Sequence, residues 1–177
     1  MLAVTNIQLL PTNEQSIILK NTINQFHIVC NKISQIAFDH KCFSKVKLQK
    51  ICYHDIRKEF PTLPSHLVIR AIAKVCEVYK RGEPYQQEIF EFNLDGSILY
   101  DKRIMSVKGL EYISLSTVEG RIEIPFVVTG YSLDSIQGKR TRGQADLVLK
   151  NDKFFLYLAI GWYPDVESSA THIIQKY

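Results

Sequence analysis

The chain has 177 residues and a formal net charge of +4, with 22 Lys and Arg against 18 Asp and Glu. Its hydrophobic content of 46% and charged content of 23% are ordinary for a soluble globular protein, and its length allows one good core or two small lobes that share a boundary. No run of about eighteen apolar residues occurs, and the N-terminal residues lack the basic region of a secretory signal, so we expect a cytoplasmic protein without a membrane span.

The N-terminal part of the sequence predicts a strand followed by a long helix. Residues 2–10 alternate loosely and are rich in β-favouring side chains up to a proline that ends the run. Thr12 with Gln15 three residues later matches the capping box that begins a helix, and a mainly apolar face continues to about His40. The first strand would be a lone exposed edge unless it pairs with strands after Glu88, so we expect the helices between them to be an insertion.

Residues 41–81 hold the largest local excess of positive charge, ten Lys and Arg against three Asp and Glu, a net of plus seven. Apolar residues recur at three- and four-residue steps over about 44–60 and again after Ser65, which we assign as the N-cap of the second helix. Prolines at 61 and 64 disfavour helix in the residues that precede them, so the two helices are expected to form a short antiparallel hairpin.

Basic side chains on this hairpin that lie off the apolar stripes are candidate nucleic-acid contacts, because Lys and Arg that neutralise phosphates supply most nucleic-acid affinity. These candidates are Lys47, Lys50, Arg57, Arg70 and Lys74. Tyr53 is better placed as a packing residue, although an exposed ring at this position would stack on a base. A solvated helix pair with surplus lysine is the alternative interpretation.

After Gly82 the sequence changes to short β-rich runs separated by dipeptides that are typical of hairpin turns. The turns are Asp95-Gly96, Glu119-Gly120 and Asn151-Asp152. Strands that are half buried on one face and close on each other indicate a small barrel. Residues 135–143 are predicted to be a glycine-flanked loop that either contacts nucleic acid or is an ordinary solvated hairpin tip. Its basic residues are Lys139, Arg140 and Arg142.

The chain shows no arrangement of residues that is typical of a catalytic or metal site. Its four cysteines are separated by twelve, ten and twenty-four positions, which match no CxxC pair, so free and mostly buried thiols are favoured over a zinc site. His27 has no nucleophile or carboxylate beside it at helical spacing, and we interpret it as a structural or surface histidine. The sequence therefore predicts no catalytic residue, no metal and no cofactor.

Several segments of the chain resemble, in the same order, the N-terminal part of TnpB-like transposon proteins, the RNA-guided nucleases related to type V CRISPR effectors. They are IQLLPTNEQ, KLQKICYHDIRKEF, SHLVIRAIAKVCEVYK, DGSILYDKRIMSVKGLEYISLSTVEGRIEIPF and RGQADLVLKNDKFFLYLAI, which extend the likeness to about Trp162. The resemblance implies an α+β fold, a small antiparallel oligonucleotide-binding-type β-barrel with a three-helix lobe inserted after the first strand. The barrel, called the wedge domain, would span 2–10 and 84–163, the helical recognition lobe 12–82, and a linker or tail 164–177.

The resemblance also implies partners and a role. The family holds structured guide-type RNA and duplex DNA, and the helix that matches ours lies against the duplex beside the target, which makes Arg70 and Lys74 the strongest single candidates. As exposed charges, both would be replaceable by Ala with little change in melting temperature. The family cuts DNA with a RuvC domain that begins after the barrel, and Asp165 lacks the apolar strand and following glycine of its first metal-binding Asp, so we interpret Asp165 as linker.

The resemblance thus favours a non-catalytic nucleic-acid-binding module. Two alternatives stay open. One is a protein-interaction or structural remnant that no longer binds nucleic acid. The other is one half of a split nuclease, with a separate RuvC-containing chain as its partner.

Overall fold

The computed structural model describes the backbone of residues 2–82, 87–109, 111–128 and 140–161, and their side chains except at 2–5, 140–143 and 159–161. Within these ranges the fold is α+β, with three helices and seven strands. In chain order they are β1 (Leu2–Leu9), α1 (Asn13–Asp39), α2 (Lys45–Glu59), α3 (Ser65–Lys80), β2 (Ile98–Asp101), β3 (Met105–Lys108), β4 (Tyr112–Thr117), β5 (Gly120–Val127), β6 (Arg140–Lys150) and β7 (Lys153–Gly161).

The strands form a nearly closed antiparallel barrel in the order β2-β6-β7-β1-β5-β4-β3. β1 lies in its middle, paired along its length with β7 and at its end with β5. The edge strand β2 approaches β4, the neighbour of the other edge strand β3, and the hydroxyl of Tyr100 on β2 donates to the carbonyl of Ser116 on β4 at 3.0 Å. The predicted small barrel with three helices inserted after its first strand is therefore confirmed.

The capping box predicted at the start of α1 is confirmed and also fixes the helix to the barrel. The Gln15 backbone N–H donates to the Thr12 hydroxyl at 3.2 Å, and the Thr12 N–H donates to the Gln15 side-chain oxygen at 3.1 Å. The Gln15 amide nitrogen then donates to the carbonyl of Glu123 on β5 at 2.9 Å. About two turns later, the Thr22 hydroxyl accepts from the Val118 N–H beside the β4–β5 turn. Local capping chemistry thus sets where the long helix begins on the sheet.

The prediction that Ser65 is the N-cap of α3 is wrong by one residue. Pro64 is the N-cap, with φ of −52° and ψ of 139°, and its carbonyl accepts the first helical hydrogen bond from Val68 at 3.1 Å. Ser65 is the first helical residue. The ring of Pro64 already fixes the φ of this position, so the helix begins one residue earlier than a hydroxyl cap would place it.

The four cysteines lie in the helical lobe as thiols, three of them buried and Cys42 half-buried. Burial raises the pKa of Cys30 to about 12 and that of Cys52 to about 11, because a thiolate loses its hydration in these positions. Both thiols are therefore neutral at physiological pH and behave as small apolar core residues.

Candidate nucleic-acid interface

α2 has a basic outer face. Its buried side consists of Leu48, Cys52 and Ile56. The helix carries five basic side chains against two acidic ones, and one of these acids, Glu59, is paired with Lys32 of α1. Successive residues of a helix are rotated by about 100° around its axis, and this rotation determines which positions lie opposite the buried residues. They are Val46, Lys47, Lys50, Tyr53, His54, Arg57 and Lys58.

Lys47 and Lys50 lie where the sequence predicted them, on the exposed part of this outer face. Neither has an ion-pair partner among the described residues. Their ammonium groups are consequently free to contact a polyanion without first breaking an internal salt bridge.

A shallow groove of about 340 Å³ lies on the same side of α2, lined by Val46, Gln49, Lys50, Tyr53 and His54. The rings of Tyr53 and His54 stand nearly perpendicular, with centroids 5.5 Å apart and an interplanar angle of 77°. Tyr53 is half-buried and packs against the core, whereas His54 is exposed. The groove therefore combines a cation, an amide and two aromatic rings on two turns of one helix.

Arg57 is on the same helix but has a structural use. Its guanidinium donates to the carbonyl of Leu63 and, at 3.4 Å, to that of Phe60. These bonds hold the connection between α2 and α3 against the end of α2. Arg57 is half-buried as a result, and we attribute to it less contact with a ligand than to Lys47 and Lys50.

Arg70 and Lys74 do not lie on an open surface, so the prediction that both are exposed charges is wrong. Arg70 Nε is 3.4 Å from a carboxylate oxygen of Asp101 on β2, and the two side chains are only 16% and 23% exposed. Lys74 Nζ donates to the carbonyl of Ser97 at 2.5 Å and to His27 Nε2 at 3.1 Å. The physical reason is that α3 turns this side toward β2, which the helical periodicity of α3 alone does not reveal.

Arg70, Lys74 and Ser97 line a cleft of about 390 Å³ between α3 and the barrel, which is also lined by Glu77, Arg81 and Asp146. Burial raises the pKa of the Asp146 carboxyl, and the nearby Lys74 and Arg70 partly offset this effect. Burial also lowers the pKa of Lys74. Cations and carboxylates thus face each other across the cleft, and the arrangement ties the helical lobe to the barrel more than it offers free charge to a phosphate.

His27 belongs to this cluster and is buried. Of the two predicted roles, a structural or a surface histidine, it therefore has the structural one. Its Nδ1 lies 2.8 Å from the Ile23 carbonyl, an acceptor, so Nδ1 carries the proton and Nε2 accepts from Lys74. A Cβ atom at Gly96 would lie 2.8 Å from His27 Nε2, so glycine is the residue that fits there. The spacing of positions 27, 74, 97 and 146 in the sequence does not indicate that these residues lie together in the fold.

Acidification is expected to destabilise the protein through His27. Burial lowers its pKa from the ordinary value of 6.5, so the unfolded chain takes up a proton in a range where the folded chain does not. The contribution is fully present above the unfolded pKa and is lost as pH falls through the lowered folded pKa. A protonated ring would also place an Nε2–H against the Lys74 ammonium. We expect the melting temperature of the wild type to fall more steeply than that of His27→Gln between about pH 7 and pH 5.

The wild type has to be compared with the His27→Gln variant, because Asp146 changes the stability with pH in the opposite direction. Its raised pKa means that the folded chain binds the extra proton, so stability falls as pH rises through the window between 3.8 and the raised value. Asp95 also faces His27 and raises its pKa, although less than burial lowers it. Parallel pH profiles for wild type and His27→Gln would contradict the assignment to His27.

The second predicted contact region differs from expectation in part. β6 begins at Arg140, which pairs with Gly161 of β7, so residues 140–143 are strand and not loop. The long β7 provides a strand with which this part of β6 pairs, and the glycine-rich sequence does not by itself indicate that such a partner exists. Lys139 and the side chains of Arg140 and Arg142 lie outside the described residues, as do Asp165 and the segment 164–177.

Neither a protein-family model nor a curated protein matches this chain. Among the residues that the structure describes, no group of three or more His, Cys, Asp and Glu side chains is arranged to hold a metal ion. None of the described helices combines the length and the apolar character needed to cross a bilayer.

Proposed function

We propose that the chain is a non-catalytic nucleic-acid-binding module that acts in the cytoplasm and uses the outer face of α2. In this proposal its partners are structured guide-type RNA and duplex DNA, as the resemblance to TnpB-like transposon proteins implies. In the split-nuclease form of the proposal, a separate RuvC-containing chain is a further partner. The observation that supports it most is the pair of exposed, unpaired lysines, Lys47 and Lys50, on a helix with a surplus of positive charge.

The barrel adds weaker support, because barrels of this oligonucleotide-binding type are a fold that often binds nucleic acid, and a fold alone does not determine function. A second candidate, a protein-interaction surface, is favoured by one observation. Val46 and Ile51 of α2 are 66% and 40% exposed and would offer apolar surface to a partner protein. Salt dependence separates the two candidates, since phosphate contacts release counterions and apolar contacts do not.

Replacing Lys47 and Lys50 together by Ala is expected to weaken binding of both RNA and duplex DNA. Each lost phosphate contact should also lower the slope of log K against log salt by about 0.9 for a duplex and about 0.7 for a single strand. Fluorescence anisotropy titrations of labelled oligonucleotides at several salt concentrations measure both quantities. Because the two side chains are exposed, the melting temperature should stay nearly unchanged.

The matched control is the double variant Lys150→Ala and Lys153→Ala. It removes the same charge from exposed positions on either side of the β6–β7 turn, next to Asp152, which pairs with Lys20 of α1. Only the α2 variant should lose affinity. Equal losses for both variants would indicate unspecific attraction to net charge, and binding that ignores salt would favour the protein-interaction candidate.

A further inference from the structure

The groove on α2 has a shape that phosphate contacts alone do not need. Lysines on a smooth helix suffice to bind a nucleic-acid backbone, yet here Gln49 and Tyr53, one helical turn apart, and Lys50 and His54, also one turn apart, line a groove as two neighbouring rows on the helix surface. The volume of about 340 Å³ is in the range of small-molecule sites and exceeds what a single planar ring occupies. The groove is therefore large enough to take a flat heterocycle.

The two rings of the groove are held so that one can stack on such a heterocycle while the other contacts its edge. Tyr53 is packed against the core at one side, which restricts its rotation before any ligand arrives. Because Tyr53 and His54 meet nearly at right angles, they do not cover each other face to face. Aromatic faces that remain open next to lysines are the elements with which proteins bind unpaired bases.

Gln49 supplies the polar group that a base requires. Its side-chain amide has both a donor and an acceptor, is half-buried in the groove wall, and makes no hydrogen bond among the described residues. A base edge offers donors and acceptors that match such an amide. Lys47 and Lys50 lie within one turn and are placed for the phosphates on either side of the base.

We propose that this groove holds one unpaired base of a single-stranded segment, stacked on Tyr53 with the His54 ring against its edge, near the Gln49 amide and with its flanking phosphates at Lys47 and Lys50. The inference rests on the proposed function and makes it more specific. A paired base is already stacked between its neighbours and is unable to enter the groove, so the α2 face should prefer single strands or loops to a duplex.

The test compares the wild type with Tyr53→Leu on two probes, a single-stranded RNA that contains a fluorescent adenine analogue and a duplex of the same sequence. Loss of the stacking partner should weaken binding of the single strand about tenfold and abolish the quenching of the analogue. Duplex affinity and the salt slope should stay as in the wild type, because both lysines are intact. Tyr112→Leu, which removes an exposed tyrosine from β4, is the matched control and should change nothing.

His54→Ala gives the same test at an exposed side chain, so that a loss of stability in Tyr53→Leu does not obscure the result. If both variants bind the single strand as tightly as the wild type, while the Lys47 and Lys50 variant binds weakly, base stacking is wrong and the proposed function stands. If the wild type binds neither probe, the proposed function fails and this inference with it.

Discussion

Arg70→Ala is expected to lower the free energy of unfolding by about 1.5 kcal/mol, although the residue is a surface arginine by sequence. Its guanidinium lies against Asp101 in the interface between α3 and β2. Removing it leaves the Asp101 carboxylate without its counter-ion in a position that is mostly shielded from water. The cost of that uncompensated charge, more than the lost attraction, produces the effect.

Urea denaturation of the purified chain measures this change. Arg81→Ala is the matched control, since Arg81 follows the same helix, is exposed and has no ion-pair partner among the described residues, so its replacement should cost less than about 0.5 kcal/mol. Adding Asp101→Asn to Arg70→Ala should recover part of the loss, because it removes the stranded charge and keeps a side-chain acceptor for the Arg103 N–H. A loss no larger than that of Arg81→Ala would show that water solvates Asp101 freely.

Tyr79→Ala is expected to cost about 4 kcal/mol, the second large effect. Tyr79 is fully buried and stacks on Phe43 with ring centroids 4.7 Å apart. Its hydroxyl lies 2.8 Å from the hydroxyl of Ser34 on α1 and accepts from the Phe90 N–H at 3.1 Å. The substitution thus removes a large core side chain and the polar link between α1, α3 and the segment that leads into the barrel.

Tyr79→Phe separates the two contributions, because it keeps the ring and deletes only the hydroxyl. Loss of the hydroxyl removes its bonds to Ser34 and to the part-buried Phe90 N–H and should cost about 1 kcal/mol. Tyr112→Phe, at an exposed tyrosine, should cost almost nothing in the same denaturation experiment. A Tyr79→Phe variant as stable as the wild type would mean that the hydroxyl network contributes nothing to the junction.

The sequence predicted best those features that depend on neighbouring residues. The capping box of Thr12 and Gln15 is a contact over three positions, and the exposure of Lys47 and Lys50 follows from the period of a helix that packs on one side only. The pairing of β1 with distant strands was predicted by a different argument, that an isolated strand edge is unfavourable.

The orientation of α3 was missed because it depends on contacts that the periodicity of one helix does not contain. Arg70 and Lys74 lie off the apolar stripe of α3, and such positions are normally exposed. Here the barrel contributes Asp101 and the carbonyl of Ser97, which convert the two positions into part of the junction. For the same reason, predicting a strand at 140–143 would have required knowing that β7 is its partner.

The central place of β1 in the sheet has a consequence for synthesis on the ribosome. β1 is made first, yet its partners on β7, from Phe155 to Gly161, are made more than a hundred residues later. The helices have local contacts and are expected to fold while the rest of the chain is still being translated. During this interval the part of β1 that pairs only with β7 has no native partner, and an unpaired edge of this kind is a starting point for association between nascent chains. Closure of the barrel is therefore the last event, and slowing translation before β7 should lengthen the period in which aggregation competes with folding.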